Sequence, residues 1–409
     1  MKTKLLWCFL VVGMLTYGQR TCGTVHKMEQ LQFNPLMKQL YDQQKLVSEQ
    51  AYQNALDGKN NQQILNTIKI PVAVHYVLET NATETKKNCL RSLAQNQVDI
   101  LNADYKGLNV EISTTWNVLK PTNYPAINHG SMNVEFVIAD QNHPSGSGLI
   151  NGQKAITFGY NFGNGTDFDS TWAGYLNLVV DNLGSQTLGY AYLGSNPGWG
   201  AAVFINTFCF GSGSGCAGYA PTFPFNKGRT LTHELGHYMN LNHIWGDALC
   251  GNDLVADTPV HHEENYGCPS INTFSTCTGT PRMLHMNYMD YTDDACLYMF
   301  TAGQVTRMQS HLNNIVNNFN QTVLSNQNFE QSFDVVVYPN PSNGIFTVEV
   351  PTAIQVKKVL VFDALGREVL TLNNGNLSSQ LQINLPNKGI YYASFETETG
   401  VIVKKLAVN

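Results

Sequence analysis

Charged residues are scarce in this sequence, and basic residues are not in excess. Asp, Glu, Lys and Arg make up 13% of the 409 residues, with a formal net charge of −6 and a pI near 6.0. Such a chain offers no basic face for nucleic acid, so we expect no nucleic-acid partner. Apolar residues reach 43%, which is enough for substantial cores, and the length predicts two or three globular units.

Long apolar runs are missing after the N-terminus. No later segment holds 18 unbroken apolar residues, so we expect a soluble mature protein without a transmembrane segment. The N-terminus begins with MKTK, followed by the 12-residue apolar run LLWCFLVVGMLT and then by YGQ. This order is typical of a secretory signal peptide, which we assign to residues 1–19 and which directs the chain to the periplasm.

Cysteines are few, but their placement predicts disulfides. Of the nine cysteines, Cys8 lies in the predicted signal peptide, and Cys209 and Cys216 flank the loop FGSGSG, which a bridge between them would close. Four others fit two bridges in an export compartment, and the sequence alone allows three pairings of them. These four are Cys250, Cys268, Cys277 and Cys296. Cys22 and Cys89 remain, and Cys89 lies in a helical pattern where we expect a buried, unpaired thiol.

The pattern of polar and apolar residues divides the chain into segments. Residues 20–62 are polar and weakly helical, and we interpret them as an inhibitory pro-segment. Residues 63–318 alternate strand and helix signals and predict the main domain. Strands are expected at 67–78, 133–140, 176–183 and 200–207, helices at 86–105, 230–239 and 301–319, and loops at 244–300. After a linker at 319–332, residues 333–409 show short alternating strands and turn signals, which predict a small all-β sandwich.

The segment HELGHYMNLNH, residues 233–243, carries three histidines at spacings that suit one metal ion. His233 and His237 are four residues apart, so on a helix they share one face and can bind the same ion. If the helix continued, His243 would lie roughly 9 Å further along its axis, at about 1.5 Å per residue. The chain must therefore leave the helix through a left-handed turn, for which Asn240 stands at the required place.

Glu234 lies between the two helical histidines, beside the fourth coordination position. A catalytic zinc keeps that position for a water, whose pKa the metal lowers to about 7. A carboxylate there can accept a proton from the water and pass it to a leaving amine. The segment therefore predicts a catalytic Zn²⁺ with the three histidines as ligands and Glu234 as general base. Glu263 or Glu264 as the third ligand is a less simple alternative, because both lie in a loop-like stretch.

Several motifs within residues 63–318 resemble the metzincin zinc endopeptidases, and more closely their pappalysin branch, peptidase family M43. The motifs are HELGHYMNLNHIWGD, CGNDLVADTP, YGCP, NYMDYTDDAC and FTAGQVTRM. The resemblance implies an α+β, metzincin-like catalytic domain with a mixed twisted sheet, long helices and a loop-rich C-terminal subdomain. The wider clan usually has glycine where this chain has Asn240. Asparagine is the next best residue for a left-handed turn, so we expect activity to be retained.

The same resemblance implies roles for residues around the metal. Met289 would form the hydrophobic floor beneath the histidines, and Tyr291 would donate a hydrogen bond to the oxyanion of the reacting carbonyl. A third implied site is a structural Ca²⁺ site, whose oxygen ligands suit that ion. Its residues would be Asp253, Asp257 and Thr258. The implied disulfides join Cys250 to Cys277 and Cys268 to Cys296.

The segment RTCGT, just after the signal peptide, resembles the cysteine switch of precursors in this family. A thiolate from Cys22 is a strong zinc ligand at about 2.3 Å and would occupy the position of the water. Cleavage within 58–69, for example after Lys59, would release it. Near the Met-turn-like motif, Asp293 and Asp294 would favour a basic side chain just after the scissile bond.

The C-terminal segment resembles the type A sorting domain of the type IX secretion system. The motifs are YPNPSNG, VFDALGREV, GIYY and KKLAVN. This implies export by the type IX machinery and a secreted or cell-surface location. We therefore expect a secreted zinc endopeptidase, made as a latent precursor, that hydrolyses proteins or peptides. The alternative is a non-catalytic, metal-stabilised adhesion or binding protein, which the loss of Glu234 or a histidine would favour, and all are present.

Overall fold

The computed structural model describes residues 21–59, 67–324, 335–350, 356–373, 380–397 and 401–409. The predicted signal peptide, most of the predicted cleavage stretch and most of the predicted linker lie outside the described residues. The chain divides into two compact units, Met1–Ser325 and Asn326–Asn409. None of the helices formed by the described residues is long and apolar enough to cross a membrane.

The first unit combines α-helices with a mixed β-sheet. Its helices are α1 (Thr24–Leu31), α2 (Pro35–Leu56), α3 (Glu84–Tyr105), α4 (Asn117–Asn123), α5 (Arg229–Tyr238) and α6 (Ala302–Ile315). Its strands are β1 (Ile68–Tyr76), β2 (Val134–Ile138), β3 (Ile156–Phe158), β4 (Leu176–Asp181), β5 (Gly189–Tyr190) and β6 (Ala202–Asn206). One π-helical turn, Ile112–Trp116, precedes α4. The predicted fold class, α+β with a mixed sheet and long helices, is confirmed.

The sheet has the strand order β2-β1-β4-β6-β5, with β3 beside the end of β1. Eight of the nine residues of β1 are buried, as expected for a parallel strand covered on both faces. The β1–β2, β1–β3, β1–β4 and β4–β6 pairs are parallel, whereas β5 is antiparallel to β6 and lies at the edge. Strand β5 is only two residues long and carries no periodic pattern, so it could not be predicted from the sequence.

Helix α3 holds the metal-site helix, α5, against the rest of the unit. The side chain of Thr83 caps α3, and the buried residues of the helix recur every three or four positions. They include Leu90, Leu93, Ala94, Val98 and Leu101. The Tyr105 hydroxyl donates to Thr232 O on α5 at 3.0 Å, and Thr232 Oγ1 donates to Asp104 Oδ2 at 2.7 Å. These buried contacts fix the position of α5.

Between α5 and α6 the chain forms loops and turns that two disulfides hold together. Cys250 is joined to Cys277 and Cys268 to Cys296, with the Cα atoms of each pair 5.7 Å apart. This is the pairing that the family resemblance implied. Helix α6 then begins with a capping box at Thr301, the residue predicted from the sequence to cap it.

Two predictions about cysteine are wrong. Cys216 is joined not to Cys209 but to Cys89, with Cα atoms 6.0 Å apart, so Cys89 is not an unpaired thiol. The reason is that α3 lies directly against the Gly/Ser loop, where Ser212 N donates to Asn96 Oδ1 on α3 at 2.8 Å. Cys209 is fully buried in the hydrophobic core instead. The bridge therefore ties α3 to the loop rather than closing the loop on itself.

The second unit consists of two antiparallel sheets around one hydrophobic core. Its strands are β7 (Val336–Tyr338), β8 (Ile345–Glu349), β9 (Val356–Asp363), β10 (Glu368–Asn373), β11 (Gln380–Asn384), β12 (Gly389–Thr397) and β13 (Val401–Val408). The sheet orders are β10-β9-β12-β13 and β11-β8-β7. Alternate residues on β9 (Val359, Val361) and β12 (Ala393, Phe395) are fully buried, as a strand period of two requires.

Candidate metal centre

Helix α5 carries two predicted ligands and the predicted base. His233 and His237 lie on one face, with their Nε2 atoms 3.2 Å apart, and all ten residues of the helix are buried. Asp294 Oδ2 accepts hydrogen bonds from Lys227 N at 2.8 Å and Arg229 N at 3.2 Å at the start of the helix. The Asp294 carboxylate is fully buried there, so it stabilises α5 and is not positioned to select a basic substrate side chain.

The third histidine returns to the metal site through the predicted turn. Asn240 has a φ of 73°, in the left-handed region, directly after the helix. The turn brings His243 Nε2 to 3.1 Å from His237 Nε2. The buried Arg307 of α6 holds the turn in place, since its Nε donates to Asn240 O at 2.9 Å.

Each histidine has its second ring nitrogen occupied. His233 Nδ1 lies 2.7 Å from Tyr288 O, His237 Nδ1 lies 2.7 Å from Leu241 O, and His243 Nδ1 contacts Asp247 Oδ1. An Nδ1–H that donates to an oxygen leaves Nε2 unprotonated and orients the ring. Asp247 was not predicted as a functional residue, although it ends the segment HIWGD that begins with the third histidine. All three Nε2 atoms are therefore unprotonated and available to bind a metal.

The chemistry of this donor set fits Zn²⁺. Tetrahedral coordination with nitrogen at about 2.0–2.1 Å separates two ligand nitrogens by roughly 3.3 Å, close to the distances found here. Burial and the neighbouring His243 lower the pKa of His237 to about 3, so its ring is neutral, as a ligand must be. Among the described residues, one ligand atom each from Cys22 and the three histidines lies within 4.8 Å of the others.

Glu234 lies beside these ligands, and the edge strand leaves room for it. Its side chain is almost completely buried, and Gly189 of β5 lies directly against it. A Cβ at position 189 would stand 2.8 Å from Glu234 Cγ, so only glycine fits there without displacement. Glu234 Oε2 accepts a hydrogen bond from Cys22 Sγ at 3.1 Å. The carboxylate thus faces the same space as the fourth potential ligand.

Met289 and Tyr291 border the site from the loop side. Met289 lies under the helix at Gly236, where a Cβ would stand 2.5 Å from Met289 Sδ. The Tyr291 hydroxyl accepts a hydrogen bond from Cys22 N at 3.3 Å, and its ring lies 5.0 Å from that of His243. Burial, Cys22 and Glu234 raise the pKa of Tyr291 far above its ordinary value. The hydroxyl therefore stays protonated and can donate a hydrogen bond.

The segment around Cys22 covers this site by pairing with β5. Leu188 N donates to Thr21 O at 3.0 Å, and Gly23 N donates to Gly189 O at 2.9 Å, so the segment runs parallel to the edge strand. This places Cys22 Sγ among the histidine nitrogens. A thiol at that position would become the fourth ligand of a bound zinc and would be deprotonated by it.

Helix α2 docks on α6 through polar and aromatic contacts. Glu49 forms an ion pair with the buried Arg307, at 2.8 Å between Oε2 and NH2, and Ser48 Oγ lies 2.8 Å from His311 Nδ1. The rings of Tyr41 and Trp199 pack edge to face, 4.8 Å apart. The sequence of this segment predicts weak helicity but not a docking surface, because single polar residues on α2 do not reveal their partners.

The three residues of the implied calcium site have different partners. Thr258 Oγ1 donates to Asp253 Oδ1 at 2.8 Å, and Asp253 Oδ2 is buried without a hydrogen-bond donor among the described residues. Burial raises the pKa of Asp253 to about 7. Asp257 instead accepts hydrogen bonds from Thr301 Oγ1 at 2.6 Å and Gly303 N at 2.8 Å, which caps α6. Asp253 and Thr258 remain as neighbouring oxygen donors.

Comparison with known proteins places two segments in described families. Residues 218–313 match peptidase family M43, described as pregnancy-associated plasma protein-A. Residues 336–409 match a secretion system C-terminal sorting domain. The first match contains the three histidines and Glu234, and the second contains the seven strands formed by the described residues of the C-terminal unit.

Individual proteins are similar over longer stretches. An extracellular metalloprotease of Arthroderma benhamiae is 31% identical over 222 residues, which cover 49% of this chain and 71% of that protein. Extracellular metalloprotease 1 of Coccidioides posadasii is 40% identical over 141 residues, which cover 34% of this chain and only 50% of that protein. A Tannerella forsythia promirolysin mutant has a similar structure, with 33% identity and a TM-score of 0.56, covering 73% of this chain and 95% of that chain.

Proposed function

Because this chain belongs to the M43 family of metalloproteases, we propose that it is a zinc endopeptidase in which Glu234 is the general base and the pro-segment maintains latency. The family assignment accounts for zinc-dependent peptide hydrolysis, and the sorting domain accounts for a secreted or cell-surface location. The observation that carries the proposal is the approach of three histidine Nε2 atoms beside a buried Glu234.

In the proposed mechanism, His233, His237 and His243 would hold the zinc, which would act as a Lewis acid and lower the pKa of a bound water to about 7. The Glu234 carboxylate accepts the proton of the attacking water and delivers it to the leaving amine. The Tyr291 hydroxyl donates a hydrogen bond to the carbonyl oxygen as negative charge develops on it. Met289 packs beneath α5, and its carbonyl accepts a hydrogen bond from Ile244 N at 3.1 Å, which holds the segment that carries His243.

Latency would follow from the place of Cys22. Its Sγ lies among the ligand atoms, and it hydrogen-bonds to Glu234, so it occupies the space that the attacking water needs. The name of the solved relative, promirolysin, supports the existence of a precursor form. We expect a Cys22→Ser precursor to become active much sooner than the wild type, measured as the lag before peptide cleavage. An unchanged lag would contradict this role of Cys22.

A structural cation is a smaller part of the proposal. Asp253 and Thr258 are neighbouring oxygen donors, and the buried Asp253 Oδ2 lacks a hydrogen-bond donor among the described residues. A buried carboxylate oxygen of this kind is stabilised by a cation, and oxygen ligands suit Ca²⁺. Asp257 is omitted from this site because its carboxylate caps α6.

Peptide-library cleavage tests the catalytic proposal. The full chain is activated by cleavage after Lys59, and its products are compared with those of Glu234→Gln by mass spectrometry. We expect Glu234→Gln to lose about 10²–10⁴-fold in kcat, the usual effect of removing a general base, while its zinc content stays unchanged. The matched control is Glu263→Gln, an exposed glutamate in the loop region. A zinc-loaded Glu234→Gln enzyme with the wild-type rate would overturn the assignment.

A further inference from the structure

The backbone of Tyr291 lies in a stretch that forms no helix or strand. Residues 288–293 form turns and bends, so no ladder of backbone hydrogen bonds sets the position of this tyrosine. Its ring packs on those of His243 and Trp245, with centroids 5.0 and 4.7 Å apart. These contacts orient the ring, but the hydroxyl also moves with the backbone atoms of residue 291. A group that holds this backbone therefore holds the hydroxyl as well.

The carboxylate of Asp290 is such a group. Its Oδ1 accepts hydrogen bonds from Tyr291 N and Asn265 N, both at 2.8 Å, and its Oδ2 accepts one from Asn265 Nδ2 at 2.7 Å. The side chain is fully buried. Hydrogen bonds to a charged group are among the stronger ones in proteins, and here no water competes for the oxygens. Asp290 is thus bound at both oxygens and cannot turn away without breaking these bonds.

The segment that contains Asn265 is itself tied to the stretch around Tyr291. The disulfide Cys268–Cys296 joins the two segments at a point beyond the tyrosine. Asp290 joins them directly before the tyrosine. Tyr291 therefore stands between two links to the same neighbouring segment, one covalent and one made by the carboxylate.

His261 places a further N–H group beside this carboxylate. Its Nε2 accepts a hydrogen bond from Leu284 N at 2.8 Å, so the ring carries its proton on Nδ1. Nδ1 lies 3.5 Å from Asp290 Oδ2, and both side chains are fully buried. The buried charge of Asp290 is thus compensated by three hydrogen-bond donors and by this nearby N–H dipole.

We propose that Asp290 is a positioning residue for the reaction, because its carboxylate holds the Tyr291 hydroxyl where the oxyanion develops. In the precursor that hydroxyl already faces the metal site, where it accepts a hydrogen bond from Cys22 N. The inference rests on the proposed peptidase function and adds a residue that acts through Tyr291. An oxyanion donor must lie about 2.7–3.1 Å from the oxygen, so even a small displacement of residue 291 lowers the rate.

Asp290→Asn tests the inference with little change in shape. An amide has one oxygen and one NH2 group, so in either orientation its NH2 faces an N–H that the carboxylate accepts. The hold on Tyr291 then loosens, and we expect kcat to fall about 10-fold and KM to change less than about 3-fold, with zinc content unchanged. The loss should not exceed the roughly 10²-fold expected when the hydroxyl itself is removed.

A double-mutant cycle with Tyr291→Phe separates positioning from general support of the fold. If Asp290 acts through the hydroxyl, Asp290→Asn should lower kcat less than about 2-fold once that hydroxyl is absent. Asp294→Asn is the matched control, because it removes another fully buried carboxylate that binds two backbone N–H groups, at the start of α5. Its effect on kcat should be the same with and without Tyr291→Phe. All variants are compared as full chains activated by cleavage after Lys59.

Asn265→Ala provides the same test if Asp290→Asn does not fold. It removes only the donor to Asp290 Oδ2, so we expect kcat to fall about 3-fold, and only where the Tyr291 hydroxyl is present.

The cycle distinguishes this inference from the proposed function. If Tyr291→Phe lowers kcat but the Asp290 or Asn265 variant loses the same factor with and without it, the positioning role is overturned and the proposed mechanism stands. A wild type that hydrolyses no peptide would overturn the proposed function, and a Tyr291→Phe enzyme with the wild-type kcat would overturn the role of Tyr291. In either case the positioning role fails as well.

Discussion

On one side of the metal centre, two histidines and Glu234 stand on α5, a helix whose ten residues are all buried against the sheet and α3. On the other side, His243, Met289 and Tyr291 stand on loops with two disulfides. The helix side lies in the hydrophobic core and has one disulfide, Cys89–Cys216, on the neighbouring α3, whereas the loop side has little regular structure and two disulfides. One site is therefore assembled from parts whose stability has different origins.

Backbone conformation shows the same contrast. The seven described non-glycine residues with positive φ include five between positions 240 and 280. They are Asn240, Asp247, Cys250, Leu254 and Thr280. Outside that stretch only Asn142 and Asn164 have positive φ, and asparagine tolerates this region best after glycine. Each strained residue costs on the order of 1–2 kcal/mol, so the loop side needs compensating links that the helix side does not.

Removing one disulfide from each side tests this contrast. Of the predictions made here, it has the largest expected effect on the free energy of unfolding. By the chain-entropy relation, loss of Cys250–Cys277 costs about 3.5 kcal/mol and loss of Cys89–Cys216 about 5 kcal/mol. We expect both double Cys→Ser variants to unfold at lower temperature. Only the Cys250/Cys277 variant should also lose zinc and peptidase activity below its unfolding temperature, because its bridge supports the loops that carry ligands.

The measurements are thermal unfolding, zinc content and peptide cleavage on the same preparations. Equal retention of zinc and activity by the two variants would show that the loop side is as self-supporting as the helix side. Loss of zinc in the Cys89/Cys216 variant alone would reverse the comparison.

Removing the Tyr291 hydroxyl separates the chemical role of the loop side from its contribution to stability. In Tyr291→Phe we expect kcat to fall about 10²-fold, or about 2.7 kcal/mol, because one donor to the developing oxyanion is lost. Zinc content and unfolding temperature should not change, since the ring packing is retained. Tyr266→Phe, whose ring lies 6.0 Å from that of Tyr291, is the control and should keep the wild-type kcat. A Tyr291→Phe enzyme with the wild-type kcat would exclude the proposed role.

The smallest predicted effect concerns the cation proposed at Asp253. Calcium at ten times its dissociation constant should raise the free energy of unfolding by about 1.4 kcal/mol. The unfolding temperature should therefore rise by roughly 3 °C, and Asp253→Asn should abolish this rise. Asp257→Asn is a useful comparison, since we expect it to lower the unfolding temperature through loss of the α6 cap but to keep the response to calcium. An Asp253→Asn protein that responds to calcium like the wild type would rule out this site.

Patterns within a few neighbouring residues were enough to predict helix α5, its two histidines and the turn that follows it. Four-residue spacing placed His233 and His237 on one face, and the need for a left-handed residue identified Asn240 before the turn was seen. Such features depend on a few neighbouring residues, so the sequence contains them directly. The alternating apolar pattern likewise predicted β1 and the C-terminal sheets.

Long-range contacts could not be predicted in the same way. Cys89 and Cys216 are 127 residues apart, and the closer Cys209 looked like the better partner until α3 was seen against the loop. Asp294 and Asp257 looked like binding residues because they are acidic and lie near the motifs, yet both cap helices. The two-residue strand β5 has no periodicity at all, although it borders Glu234.

Arg307 links the candidate metal site to helix α2. Its guanidinium contacts both the Asn240 carbonyl, in the turn that carries the chain to His243, and Glu49 of the proposed pro-segment. Metal binding and pro-segment docking therefore share one residue, and linkage makes their coupling reciprocal. Whatever free energy the docked helix adds to zinc affinity, zinc adds equally to the affinity of the helix. Because Cys22 lies among the ligand atoms, we expect the proposed pro-segment to dock less tightly when zinc is removed.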